Sequence, residues 1–245
     1  MTKYRPEEIL QLLIDYYNFQ TQFDLEVDEG EQLTFDTTIS DWISICDLVE
    51  PKKLAKVYHD FFNLQTPISE LERILNFQQV NKLKEFCVYI AENASKENIK
   101  PIISLGQSCM SAAIFKTLIS NLNKRGVNTN NIKPSSEFIP VFKEYSVELL
   151  EEVNKLAPGS LTNFDFKNNW IVRTGGIIIV IFIISIIVIP LIWHFHGSLW
   201  IILGIGLTIV MIGNRFKPEK DIIGGYKTIR DLIIGMQEQL KKAAT

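Results

Sequence analysis

The chain has 245 residues, a formal net charge of −3 and 47% hydrophobic residues, so it can bury a core of ordinary size. Its acidic residues are concentrated, with twelve Asp or Glu and no Lys or Arg between Arg5 and Lys52. Because an acidic surface repels phosphate backbones, nucleic acid is excluded as an expected partner. The cysteines Cys46, Cys87 and Cys109 lie in apolar stretches and are expected to be reduced thiols without a disulfide.

Apolar residues at helical spacing predict a mainly α fold for the first part of the chain. Leu10, Leu13 and Tyr17 fall on one stripe of a helix over 7–19. Thr66 and Pro67 are the expected N-cap and first residue of another helix. We predict further helices over about 39–49, 51–64, 67–76 and 78–93.

Acidic and apolar side chains alternate over residues 24–35 around Gly30, which favours a short hairpin or an ordered loop. An EF-hand is excluded, because the glycine is displaced by one position and Phe35 stands where a bidentate Glu is needed. No metal ligand is assigned. The acidic residues are interpreted either as a docking face for a basic protein partner or a cation, or as a solvated face. The predicted acidic docking face consists of Asp24, Glu26, Asp28, Glu29 and Glu31.

A glycine turn followed by a helix over 107–123 is the best candidate for a ligand site. The free amides and dipole of a helix N-terminus can hold an anion or lower the pKa of a thiol there. The candidate ligand-binding residues are Gly106, Gln107, Ser108 and Cys109. The alternative is a simple helix start with Cys109 in the core. Since His59 lies on a separate predicted helix, no Cys–His dyad is formed, and we predict no catalytic residue and no cofactor.

A helix over 138–156, closed by Pro158 and Gly159, completes a predicted cytosolic helical domain over 1–165. The tetrapeptide Asn-Ile-Lys-Pro occurs at 98–101 and again at 131–134. Four residues are too few to establish an internal repeat, so we interpret this as chance or shared turn chemistry.

Two uncharged runs follow a linker over 166–174 and predict a transmembrane hairpin. Gly175–Trp193 contains ten isoleucines, and Gly197–Gly213 follows after the loop 194–196. At 1.5 Å per residue the runs reach about 28 and 25 Å, close to the roughly 30 Å of a bilayer core. Basic residues flank the hairpin and the loop has none, so both termini are expected in the cytoplasm. The predicted location is the cell membrane, by default the bacterial inner membrane.

Small residues and a tail seam suggest how copies of the chain associate. Four glycines in the second run form two stripes for helix packing, Gly197 with Gly204 and Gly206 with Gly213. The tail 214–245 is expected to form an amphipathic helix that packs on the chain's own domain or self-associates. Its apolar seam consists of Ile222, Tyr226, Ile229, Ile233, Met236 and Leu240.

These features predict a mainly α, two-pass integral membrane protein whose cytosolic helical domain binds a partner or ligand as an anchor, sensor or scaffold. The alternative is a ligand-triggered, pore-forming effector that oligomerises through the hairpin. A membrane-associated enzyme using Cys109 is the third hypothesis. The expected partners are the lipid bilayer, a second copy through hairpin and tail, and a basic protein.

Overall fold

The computed structural model describes residues 1–22, 27, 30–76, 80–104, 106–162, 164–165 and 222–244. The chain is mainly helical, as the sequence predicts. It divides into two compact units, Met1–Phe164 with Ile222–Thr245, and Asp165–Asp221. The first unit contains nearly all of the described residues.

More than half of the described residues lie in helices. Pro6 stands in the first turn of α1 with Glu7 and Glu8, residues that suit a helix start because Pro lacks an amide and acids complement the dipole. Thr38 caps α2 by accepting a hydrogen bond from the Asp41 amide at 3.0 Å. The helices are α1 (Pro6–Gln20), α2 (Ile39–Ile45), α3 (Pro51–Phe61), α4 (Ile68–Ile74), α5 (Leu83–Asn93), α6 (Met110–Lys124), α7 (Phe138–Glu144), α8 (Ser146–Leu156) and α9 (Ile229–Ala244).

Short strands form three separate two-stranded pairs. In the first two the strands run antiparallel, with Thr2 opposite Lys96 and Ile103 opposite Ser108. The pairs are β1 (Thr2–Lys3) with β2 (Ser95–Lys96), β3 (Ile102–Ser104) with β4 (Gln107–Cys109), and β5 (Phe164–Asp165) with β6 (Ile222–Ile223).

The first unit consists of two halves, one from α1 to α5 and the other from α6 to α9. The two halves share one hydrogen-bond pattern. In the first half the segment before α2 pairs with the segment before α5, and in the second half the segment before α7 pairs with the segment before α9. We call each of these paired sites a crossing. The first crossing has the bonds Ile39 N to Asn81 O (2.9 Å), Leu83 N to Thr37 O (2.9 Å) and Lys84 N to Phe35 O (3.2 Å). The second has Phe138 N to Lys227 O (2.9 Å), Ile229 N to Ser136 O (3.0 Å) and Arg230 N to Pro134 O (2.8 Å). Residues 35, 37 and 39 correspond to 134, 136 and 138, a shift of 99, and residues 81, 83 and 84 correspond to 227, 229 and 230, a shift of 146. The two crossings are therefore equivalent.

Burial supports the same correspondence. Leu54 and Ala55 of α3 are buried, as are Leu149 and Leu150 at the same places in α8. In the final helices the buried residues of the first half are Leu83, Phe86, Cys87, Ile90 and Ala91, and the first four of these correspond to the buried residues Ile229, Leu232, Ile233 and Met236 of the second half. The repeated Asn-Ile-Lys-Pro does not mark this correspondence, because one copy precedes β3 and the other precedes α7.

Several predicted helix boundaries differ from the structure. The helix predicted over 107–123 begins only at Met110, since residues 107–109 pair as strand β4. The helix predicted over 138–156 is divided at Tyr145, which has φ −132° and ψ 44°. Pro67 rather than Thr66 is the N-cap of α4, and the Thr66 hydroxyl instead lies 2.6 Å from the Tyr89 hydroxyl.

The membrane predictions are corrected. In the part of the chain that the structure describes, no helix is long and apolar enough to cross a membrane. The longest of these helices, α9, has 16 residues with Lys241 and Lys242 in its last turn, so its length of about 24 Å falls short of a bilayer core of roughly 30 Å. The two-pass function, the cell-membrane location and the pore-forming and membrane-enzyme alternatives are therefore withdrawn. The runs 175–193 and 197–213, with Gly197, Gly204, Gly206 and Gly213, lie outside the described residues.

The tail helix α9 packs against α6 of its own chain. Ile229, Ile233 and Met236 of the predicted seam are buried, together with Leu232, which the seam omits. The predicted homo-oligomer through hairpin and tail stays a prediction, as do the predicted domain boundaries.

The equivalent crossings lead to a paired prediction about stability. Thr37 Oγ1 accepts a hydrogen bond from Thr34 N, and Ser136 Oγ accepts one from Lys133 N, each at 2.9 Å. We expect Thr37→Ala and Ser136→Ala each to lower the free energy of unfolding by about 1 kcal/mol, because each leaves one turn amide without its partner. Urea denaturation followed by circular dichroism measures both. Ser40→Ala, on the exposed side of α2, is the control and should change it by less than about 0.5 kcal/mol.

Candidate functional site

The predicted ligand residues form a β-hairpin that leads into α6. Gly106 lies at the turn with φ +75°, a left-handed conformation that glycine adopts without the strain that a Cβ brings. Gln107 and Ser108 are exposed in β4, and Cys109 ends the strand as the N-cap of α6. Strand β4 leads directly into α6, so the thiol lies at the start of a 15-residue helix. The role of these four residues in ligand binding stays a prediction.

The Cys109 thiol is partly exposed and lies near hydrogen-bond donors. Its Sγ is 3.4 Å from Ser111 Oγ. That contact, followed by the backbone N–H of Ala112, lowers the pKa of Cys109 from its ordinary value. The thiol therefore lies at the N-terminus of α6 and not in the core. The other cysteines differ, since burial raises the pKa of Cys46 and of Cys87 to about 12.

The structure does not bring His59 to Cys109. The His59 ring Nε2 lies 2.9 Å from the Thr66 carbonyl oxygen, so the ring contacts a residue of the first half. Within the described residues, no group of three or more His, Cys, Asp or Glu side chains is arranged to hold a metal ion.

The acidic docking face is only partly described. Asp24, Glu26, Asp28 and Glu29 lie outside the described residues, whereas Glu31 is described and exposed. Further exposed acids continue from it, and these we call the acidic surface: Glu31, Asp36, Asp41, Asp47 and Glu50.

Ion pairs reach two members of the acidic surface. Lys82 Nζ lies 2.7 Å from Asp36 Oδ1 and lowers the pKa of that carboxyl. Lys53 Nζ lies 3.9 Å from Glu50 Oε2, with both side chains largely exposed. Exposed pairs of this kind contribute little to stability. The two lysines offset part of the negative charge of the acidic surface.

The equivalence of the two halves shows that this acidity is not needed for the fold. Residues 31–45 carry three acids and no base, whereas the equivalent residues 130–144 carry two lysines and two glutamates. Both stretches form the same turn, crossing and short helix. One backbone arrangement is therefore compatible with either charge over this stretch.

A buried polar cluster around Asp15 was missed by the sequence analysis. Asp15 is fully buried on α1, and its carboxylate accepts hydrogen bonds from Gln11 Nε2 at 2.9 Å and from Gly159 N at 2.7 Å. Gln239 Nε2 of α9 donates to the Gly159 carbonyl at 3.0 Å. The spacing of Gln11 and Asp15 by four residues was a visible signal, but nothing local predicted a partner 144 residues away.

Burial raises the pKa of Asp15 to about 7, and the two donated hydrogen bonds oppose this rise without cancelling it. A cleft of about 140 Å³ lies beside the cluster. It is lined by both amides, Gln11 and Gln239, and by charged side chains from two helices and the segment before α1, among them Arg5, Glu7, Glu8 and Lys242.

No family model matches the chain, and no curated protein or solved structure matches it either. The function therefore has to be argued from the geometry of its own residues.

The Cys109 environment predicts selective alkylation. Because the thiolate is the nucleophile, we expect iodoacetamide at pH 7.5 to modify Cys109 at least tenfold faster than Cys46 or Cys87. Mass spectrometry of digested protein at increasing times measures the three rates. Ser111→Ala, which removes the side-chain hydrogen bond, should slow the reaction at Cys109. Equal rates at the three cysteines would contradict this assignment.

The buried carboxyl of Asp15 predicts a pH-dependent stability. Its pKa is higher in the folded than in the unfolded chain, so its contribution is fully present below pH about 4 and is lost as the pH rises through 7. The loss is on the order of 4 kcal/mol for three pH units. We expect Asp15→Asn to remove this dependence and to be more stable than the natural chain at pH 8. Urea denaturation at pH 5 and pH 8 measures it, with Asp41→Asn, an exposed Asp, as the control that keeps the dependence.

Proposed function

We propose that this chain is a non-catalytic binding module that docks a basic protein segment on the acidic surface of its first half. The observation that carries the proposal is the charge difference between two equivalent stretches of the chain. Residues 31–45 carry three acids and no base, whereas residues 130–144 carry two acids and two bases.

The placement of the acids supports docking. Asp41 lies in the first turn of α2, Asp47 follows that helix, and Glu50 is the residue before α3. All three are exposed and lie within ten residues of one another in the chain. Grouped carboxylates raise the association rate of a cationic partner and reject anionic ones. Arginine suits them best, because its guanidinium binds a carboxylate through two parallel hydrogen bonds.

An apolar side chain in the same stretch adds to the surface. Val49, between Asp47 and Glu50, is 51% exposed. Val57 of α3 is 56% exposed. Apolar contact at the centre of a charged rim is a common arrangement in protein interfaces. The expected partner segment therefore combines Arg or Lys with at least one apolar side chain.

Fluorescence anisotropy with a labelled peptide tests the proposal. The probe is a nine-residue peptide of alternating arginine and leucine, titrated with the full chain at several salt concentrations. We expect the triple variant Asp41→Asn, Asp47→Asn, Glu50→Gln to bind at least tenfold more weakly, with a shallower salt dependence. Asp47 has φ +43°, and Asn tolerates this conformation, so the fold should be retained.

The second half supplies a control with the same change in net charge. Glu137→Gln, Glu144→Gln, Glu238→Gln neutralises three exposed acids outside the acidic surface. This variant should bind the peptide within about twofold of the natural chain, since the rest of the surface field is screened by salt. Equal losses in both triple variants would show a general charge effect and overturn the proposal.

A further inference from the structure

The cluster around Asp15 joins three segments that are far apart in the chain. Asp15 and Gln11 lie on α1, residues 157–160 form the turn after α8, and Gln239 lies on α9. Gly159 takes part from both sides, since its amide donates to Asp15 and its carbonyl accepts from Gln239. The Tyr226 hydroxyl donates to the next carbonyl, Ser160 O, at 2.9 Å. The turn is thus held between the first helix and the last.

The turn is packed closely as well as hydrogen-bonded. Gly159 has φ +83°, and a Cβ at this position would lie 3.0 Å from Gln11 Cγ. Tyr226 packs directly on Gly235 of α9, where a Cβ would overlap its ring. A small movement of the turn therefore breaks contacts with both α1 and α9.

Among the residues that the structure describes, the Asp15 carboxylate has hydrogen-bond donors but no cation beside it. The causes that set its pKa are burial first, then the hydrogen bonds from Gln11 and Gly159. Tyr226 faces it, and the pKa of Tyr226 is raised by burial, by Glu238 and by Asp15. Arg5, Glu7, Glu8 and Lys242 lie along the adjacent cleft, beyond Gln11 and Gln239. On the described α5 and α8, which pack on α1, no titratable group is among the causes acting on Asp15.

We propose that Asp15 is a proton-operated latch, whose protonated form keeps the 157–160 turn and α9 docked on α1 and whose ionised form releases them. The sign follows from linkage. Burial raises the pKa of Asp15 to about 7 in the docked state, whereas a released, hydrated carboxyl titrates near its ordinary value. Protons therefore bind more tightly to the docked state, and each pH unit between about 4 and 7 shifts the equilibrium up to about tenfold toward release. Above pH 7 both states are ionised, so the shift levels off.

The latch acts at a distinct place from the acidic surface, so it is independent of the proposed partner binding. Gln11 can serve either form of Asp15, since its amide can present Nε2 to a carboxylate or Oε1 to a protonated carboxyl. The Gly159 amide can only donate, and its hydrogen bond is stronger to the ionised form. Desolvation is the larger effect in this fully buried position, which sets the direction of the latch.

Hydrogen exchange of the full chain between pH 5 and pH 8.5 tests the latch, after correction for the intrinsic pH dependence of exchange. We expect protection in residues 157–162 and in α9 to fall by up to about tenfold per pH unit from pH 5 to pH 7 and to level off above pH 7. The Asp15→Asn chain should show flat protection over this range. Asp41→Asn should behave like the natural chain, and α5, the equivalent of α9 in the first half, should not respond to pH in any of the three.

Two further measurements separate the latch from a merely structural role. Tyr226→Phe removes the hydrogen bond to Ser160 but leaves Asp15, so protection should fall uniformly while its pH dependence remains. In the natural chain, the ¹³C signal of the Asp15 carboxyl should titrate near pH 7, the pH at which the loss of protection levels off. A carboxyl that titrates below pH 5, or an unchanged pH dependence in Asp15→Asn, would overturn the proposal.

Discussion

The crossing of two backbone segments just before the short helix and the final helix is the constraint on which each half depends. Its hydrogen bonds, such as Leu83 N to Thr37 O and Ile229 N to Ser136 O, fix where the final helix starts. Once that residue is fixed, the helical repeat determines which side chains point inward. Phe86 and Met236 are buried for this reason. A shift by one residue would rotate each final helix by about 100° and expose its apolar face.

The same arrangement carries different chemistry in each half. The first half combines its crossing with exposed acids, and the second half has a neutral counterpart. Arg125 pairs with Glu151 and Glu152 within the second half. Between the halves, Lys155 Nζ of α8 lies 4.3 Å from the centre of the Phe61 ring of α3. The halves are thus joined by charged and aromatic contacts as well as by the Asp15 cluster. Polar seams respond to pH and salt more than apolar cores do.

Local rules predicted the elements with strong periodicity and missed those set by distant contacts. The stripe of Leu13 and Tyr17 predicted α1, and Pro158 with Gly159 marked the end of α8. The strand pairing of Ile102 with Cys109 was not visible, because the same residues also fit a helix start. The buried position of Asp15 depends on Gly159, which only the folded chain brings near. The hydrogen-bond equivalence of the two halves was hidden because it repeats geometry more than residue identity.

The pairing of β5 with β6 has a consequence for the segment between them. Paired strands lie about 4.8 Å apart, so the chain leaves the first unit at Phe164 and returns at Ile222 through neighbouring points. The first unit therefore holds both ends of the intervening segment at adjacent positions. A change within that segment leaves the points of exit and return on the first unit unaltered as long as β5 and β6 stay paired.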